Sequence, residues 1–135
     1  MNTILVGTDT SAAADLAVED AARIARDRGA ELLVLYVRPE SDLRAVVDPA
    51  RAADPSAYLD RIPARFPDIS ARTRVERGDP AERICDVAAE ERVDTIVLGN
   101  RGVHGSRWRV RDSVPNNVLR HSPCSVFIVD TRRAQ

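Results

Sequence analysis

The stretch Gly99–Ser113, GNRGVHGSRWRVRDS, opens on Gly99 and Gly102, gathers Arg101, Arg107, Arg109 and Arg111 around His104 and Trp108, and closes on Asp112 and Ser113. Glycines let backbone N–H groups approach an anion closely, a serine at a helix start adds a hydroxyl, and guanidinium groups add charge-assisted hydrogen bonds. The chemistry on offer is phosphate binding. Asp112 works against it, because a carboxylate about 4 Å from a phosphate repels it by about 1 kcal/mol in water and about 4 kcal/mol at an effective dielectric near 20. The same side chain can occupy the anion site itself as a helix cap that stabilises the helix by about 1 kcal/mol. It can also hold Mg²⁺ that bridges to a triphosphate. In the blander reading Gly99 and Gly102 are turn glycines, and the arginines pair with nearby acids on a solvated loop at about 0–1 kcal/mol per pair.

All twenty basic residues of the chain are arginine. The absence of lysine excludes a Walker A loop and Schiff-base chemistry, so any anion site must use arginine, backbone N–H groups or hydroxyls. No nucleophile–base pair is visible, and an ATPase would have to improvise a base from Asp112 or Asp9; the sequence predicts a binding protein, not an enzyme. His104 and His121 have no partner at metal-ligand spacing, and Cys85 and Cys124 stand far apart in separate segments without a CxxC, which predicts buried, reduced thiols.

The elements that position the loop follow from periodicity. Thr3–Thr8 (TILVGT) reads as a strand, and Asp9-Thr10-Ser11 starts a helix whose apolar positions Ala17, Val18, Ala21, Ile24 and Ala25 recur at helical spacing until Gly29. Glu31–Val37 (ELLVLYV) is a strand buried on both faces. Residues 40–69 are broken by Pro49, Pro55, Pro63 and Pro67, and one weak helix is expected near Ser56–Ile62. Ser70–Glu76 alternates like an edge strand whose arginines discourage edge pairing. Pro80 opens a helix to about Glu91, Thr95–Gly99 is a further buried strand, Val114–His121 a last helix, and Ser125–Val129 a last strand. This order predicts an α/β fold: an open, five-stranded, mostly parallel sheet with helices on both faces, in a single domain spanning 1–135. Ligands of such sheets bind beyond the carboxyl ends of the strands, where Asp9, Val37 and Gly99 fall.

Length and charge narrow the partners. With 135 residues and a net charge of −1 the chain lacks the electrostatic footprint of non-specific nucleic-acid binding. No apolar run approaches the roughly 20 residues of a membrane span, and no signal segment precedes the first strand, which predicts a soluble, cytoplasmic protein. The dinucleotide fingerprint GxGxxG fails, since VGTDTSAAAD carries a single glycine. An FMN loop would bring a glycine and aromatic rings, whereas aromatics make up 4% of the chain. The paired-glycine loop of ATP pyrophosphatases and the HxGH motif of nucleotidyltransferases are also missing.

Several co-linear stretches together resemble the universal stress protein family. ILVGTDTSAAADLAVEDAARIARDRGAELLVLYV is similar to its opening strand, D-G-S turn, first helix and second strand. GDPAERICDVAAEERVDTIVLGNRG is similar to its G-x-P helix and D-x-I-V-x-G strand, and SVPNNVLRHSPCSVFIV to its last helix and strand. The likeness spans nearly the whole chain outside residues 40–69 and implies a Rossmann-like fold. Nucleotide-binding members carry Gly, two residues, Gly, nine residues, Gly, then Ser or Thr; Gly99, Gly102 and Ser113 meet this pattern, and Asp112 replaces the third glycine. Thr10 likewise replaces the glycine of the D-G-S turn.

The resemblance implies that ATP or AMP binds with Asp9 on adenine or ribose and the backbone of Val37 on the adenine edge. Gly99, Arg101, Gly102 and Ser113 would line ribose and phosphates. It also implies a homodimer joined through Val126–Val129, and a stress-response sensor or regulator. The alternative is a dimeric partner-binding module, meeting an unnamed protein, whose nucleotide affinity Asp112 has removed.

Overall fold

The computed structural model describes residues 2–38, 54–100 and 114–131. The short apolar runs become strands because a sheet pairs their backbone groups while both faces take the side chains out of water. They are β1 (Thr3–Thr8), β2 (Glu31–Arg38), β3 (Ala71–Arg77), β4 (Thr95–Gly99) and β5 (Ser125–Val129). All five are parallel, in the order β3-β2-β1-β4-β5. The open, five-stranded parallel sheet read from the sequence is therefore the one observed.

Helix α1 (Ala12–Arg28) follows β1, capped by Ser11 Oγ, which accepts from the Ala14 N–H at 3.1 Å. Gly29, at φ 63°, ends it in the left-handed turn that lets Ala30 N–H reach back to the Ala25 carbonyl at 2.8 Å. Its buried stripe is Ala13, Ala17, Val18, Ala21, Ala22 and Ala25, small side chains that let the helix lie close on the sheet. Helix α4 (Pro80–Glu90) is capped by Asp79, whose carboxylate accepts from the Glu82 N–H at 3.0 Å, and it buries Ala81, Ile84, Val87 and Ala88.

Between β2 and β3 the expected single weak helix is two short ones, α2 (Ser56–Asp60) and α3 (Ile62–Arg65). Pro63 sits in the first turn of α3, where its missing N–H has no bond to lose, so it starts a new helix instead of breaking one. Helix α5 (Val114–His121) precedes β5.

Strand alternation sorts the core into two layers. Ile4, Val6, Leu32, Val34 and Val97 pack with α1 and with Leu59, Ile62 and Phe66 on one face. Leu5, Leu33, Leu35, Ile96 and Leu98 pack with α4 and Val118 on the other. Each fully buried aliphatic side chain contributes about 1.5–3 kcal/mol. Cys85 and Cys124, distant in sequence, both rest against the second layer; they are free and half-buried, not fully buried as expected, and burial pushes both thiols up. Among the described residues no helix is long and apolar enough to cross a membrane.

The arginines of β3 do more than guard an edge. Arg72 and Arg74 lie opposite Leu33 and Leu35 in the sheet register, on the second-layer face, where α4 ends. Glu91, the residue after that helix, accepts from Arg72 Nη2 at 2.6 Å and from Arg74 Nη1 at 2.8 Å. Glu31 takes Arg72 Nε at 3.0 Å and Glu76 takes Arg74 Nε at 2.8 Å. The Arg72 hydrogen bond foremost, then that of Arg74, holds the Glu91 carboxyl below its ordinary range against the opposing effect of burial. A depressed folded pKa stabilises the fold above the unfolded pKa and loses that contribution as pH falls through the folded value. Glu91→Gln is accordingly expected to lower stability by about 1 kcal/mol near neutrality, with the gap to wild type closing as pH drops from about 5 toward 2. Urea unfolding across that range measures it, and a gap independent of pH would show that the charge on Glu91 is irrelevant.

Candidate functional site

The strand order reverses direction between β1 and β4. A crevice opens at such a point in parallel sheets because the chain leaves the two strands toward opposite faces. Here α1 packs on the first layer and α5 contributes Val118 to the second. The split reaches into the sheet itself: the β1–β4 ladder ends at Val6↔Val97, while β1 stays paired with β2 to Thr8↔Tyr36 and β4 with β5 to Gly99↔Val129.

Three of the residues singled out in the sequence come to this edge of the sheet. Asp9 leaves β1 exposed, Val37 lies partly exposed in β2 one residue past the last β1 pair, and Gly99 ends β4. Arg101, Gly102, Asp112 and Ser113 lie outside the described residues, as do His104, Arg107, Trp108, Arg109 and Arg111.

The turn that carries Asp9 is built from its own side chains. Asp9 Oδ1 accepts from the Ser11 N–H at 2.9 Å, and Thr8 Oγ1 accepts from the Thr10 N–H at 2.9 Å. Thr10 is held at φ 69°, a left-handed conformation that costs a non-glycine residue about 1–2 kcal/mol and is rare for a β-branched one. This is the place where the resembled D-G-S turn has glycine. Asp9 Oδ2 has no protein partner among the described residues, which leaves it as an acceptor for a hydroxyl or amino group brought by a ligand.

Behind this turn stands a polar cluster that sequence reasoning missed. The Tyr58 hydroxyl, half-buried on α2, donates to Asp15 Oδ1 in the first turn of α1. Arg65 of α3 grips both Asp15 oxygens, at 2.7 and 3.0 Å. Burial and the Asp15 carboxylate push the Tyr58 hydroxyl up to about 12. Burial would raise Asp15 too, but the hydrogen bonds from Arg65 and Tyr58 outweigh it and hold the carboxyl below its ordinary value. The one sequence signal was a tyrosine in a proline-broken stretch.

On the other side of the split, Gly99 is not a turn glycine. Its backbone is outside the left-handed region, and a Cβ there would stand 2.8 Å from Thr131 Cγ2. Asn100 explains the closeness: its N–H donates to the Val129 carbonyl at 3.0 Å, and its Oδ1 accepts from the Thr131 N–H at 3.0 Å and the Thr131 hydroxyl at 3.2 Å. Thr131 is completely buried by this tie, which holds the end of β4 to the segment after β5.

Among the described residues no cluster of three or more His, Cys, Asp or Glu is arranged to hold a metal. A groove of about 410 Å³ between α4 and α5 is lined by Asp79, Glu82, Cys85, Asp86, Asn117 and His121. Two of its three acids have local uses, Asp79 as the α4 cap and Asp86 as the partner of Arg83, and its lining includes no residue of the five strands.

Comparison with known proteins fits this geometry. The model of the universal stress protein family matches residues 1–130. The chain belongs to the universal stress protein family. A universal stress protein of Mycobacterium tuberculosis is 33% identical over 141 residues, covering 96% of each chain. The universal stress protein YxiE of Bacillus subtilis is 28% identical, covering 95% of this chain and 98% of its own. A crystal structure of a universal stress protein in complex with cAMP superposes with a TM-score of 0.78 at 28% identity, covering 96% of this chain and 97% of that one.

In this universal stress protein the role of Gly99 in packing is separable from any role toward a ligand. Gly99→Ala is expected to lower stability by about 1–3 kcal/mol, as overpacking does. Adding Thr131→Ser, which removes the opposing Cγ2, should recover most of it. Urea unfolding of the single and double variants measures the coupling, and strict additivity would mean that the new methyl collides elsewhere.

Proposed function

We propose that this universal stress protein binds an adenine nucleotide, ATP or AMP, in the crevice between β1 and β4 and acts as a cytoplasmic sensor or regulator, with binding and not turnover as its task. The observation that carries this reading is the split of the sheet at its switch point, flanked by Asp9 Oδ2, which meets no partner among the described residues, and by the end of β4 at Gly99. The relative solved in complex with cAMP supports an adenine nucleotide as the ligand class. On this reading Asp9 Oδ2 takes a ribose hydroxyl or the adenine amino group, and the Val37 backbone meets the adenine edge. The phosphates run toward Gly99, Arg101, Gly102 and Ser113, with the arginines offsetting Asp112 or Mg²⁺ bridging Asp112 to a triphosphate.

Calorimetric titration with ATP, with and without Mg²⁺, is expected to show micromolar or weaker binding by wild type. Asp112→Gly should tighten it by about fivefold or more through loss of the like charge. Binding by Asp112→Gly alone would favour the second reading, a dimeric partner-binding module in which Asp112 has removed the nucleotide.

The β5 edge supports association in either case. Phe127 is 48% and Ile128 36% exposed, on opposite faces of an edge strand that has no outer neighbour among the described residues. We place a homodimer contact along Val126–Val129. Phe127→Glu should convert a dimer to a monomer in light scattering, and an unchanged mass would remove β5 from the interface.

A further inference from the structure

In a parallel ladder a residue donates its N–H to one residue of the next strand and accepts through its carbonyl from the residue two places further on. Asn100 makes the first of these bonds in the ordinary way: with Gly99 opposite Val129, its N–H donates to the Val129 carbonyl at 3.0 Å. The next rung would run from the Thr131 N–H to the Asn100 backbone carbonyl. Instead the Thr131 N–H donates to Asn100 Oδ1 at 3.0 Å, and the Thr131 hydroxyl lies 3.2 Å from the same atom. A backbone N–H can only donate, so the atom it meets is the amide oxygen, and the hydroxyl beside it must donate as well. The side chain of Asn100 thus closes the rung that its own carbonyl would close. The buried Thr131 N–H keeps a partner, as a buried donor must, while the main chain leaves the ladder.

We propose that Asn100 is a positioning residue for the ligand site: by lending its side chain to the last rung it anchors the end of β4 to β5 while its main chain turns out of the sheet at the crevice. The rung lies where the sheet splits. β4 leaves its ladder with β1 after Val97, although β1 runs on through Gly7 and Thr8. The last two residues of β4 follow β5 alone, Leu98 against Ile128 and Gly99 against Val129. Without the Asn100 oxygen, Thr131 would draw the backbone carbonyl into the rung, β4 would lengthen along β5, and the chain would leave the crevice a step later. Thr131 is completely buried, so it acts on a ligand only through Asn100.

The inference rests on the nucleotide reading, and the two fail in different ways. In the ligand-free protein, NMR scalar coupling across the hydrogen bond of the Thr131 amide is expected to reach the side-chain carbonyl carbon of Asn100. Coupling to its backbone carbonyl carbon would overturn the inference before any ligand is added. ATP is then titrated by calorimetry into wild type, Asn100→Ala, Thr131→Val and Thr131→Ser at a temperature where all four are folded. Asn100→Ala is expected to weaken binding about tenfold, and Thr131→Val, which lacks the hydroxyl donor, about threefold, within the range of one lost hydrogen bond. Thr131→Ser keeps both donors and should stay within about twofold of wild type. Variants that melt earlier but bind ATP as wild type does would show Asn100 to be structural only, and a Thr131→Ser as weak as Thr131→Val would equally overturn the positioning role. If the side-chain coupling is present and wild type binds no ATP, the nucleotide reading falls and takes the positioning role with it.

Discussion

The structure depends on one topological constraint. A parallel sheet must be covered on both faces, and right-handed crossovers place every helix between strands that advance in one direction on the same face. From β1 through β3 the chain advances one way, and α1, α2 and α3 accumulate on the first layer. To cover the second layer it must return past β1, lay down β4 on its far side and advance the other way, which puts α4 and α5 opposite. The two starting strands, β1 and β4, are thus neighbours whose chains leave in opposite directions, and the parting of their last residues follows from that.

Much of this was legible. Continuous apolar runs such as ELLVLYV mark strands buried twice over, and Ser11, Gly29, Asp79 and Pro80 stand where helix ends need them. The carboxyl ends of β1, β2 and β4 fall along one edge of the sheet, as the strand order read from the sequence implies, and carry Asp9, Val37 and Gly99 there. The rest was hidden because it depends on pairs far apart in sequence. Nothing near Tyr58 indicates Asp15, forty-three positions away, and nothing near Gly99 indicates Thr131. Pro63 was read as a breaker although the same ring is well placed in a first turn. Local pattern decides which element forms, but the partner of a polar side chain is decided by packing.

The two departures from the family pattern differ in kind. Thr10 stands in a position where the backbone wants glycine, and the fold meets the strain with the hydrogen bond that the Thr10 N–H donates to Thr8 Oγ1 and with the one that the Ser11 N–H donates to Asp9. Asp112 replaces the third glycine of the family pattern, so it puts a carboxylate into the sequence where that pattern carries no charge. The first is a matter of backbone geometry that neighbours can correct. The second is a matter of charge, which no adjustment of the backbone removes.

The sheet has two outer strands of opposite character. At β3 the cations Arg72 and Arg74 are committed to Glu31, Glu76, Glu90 and Glu91 within the chain, whereas β5 shows Phe127 and Ile128 to solvent. A molecule sticky at both rims would add copies end to end without limit. With one rim laced by its own charges, association through the other would use the same patch from each copy and close at a pair, and in that assembly the ion pairs of β3 would act as a chain terminator against ribbon growth.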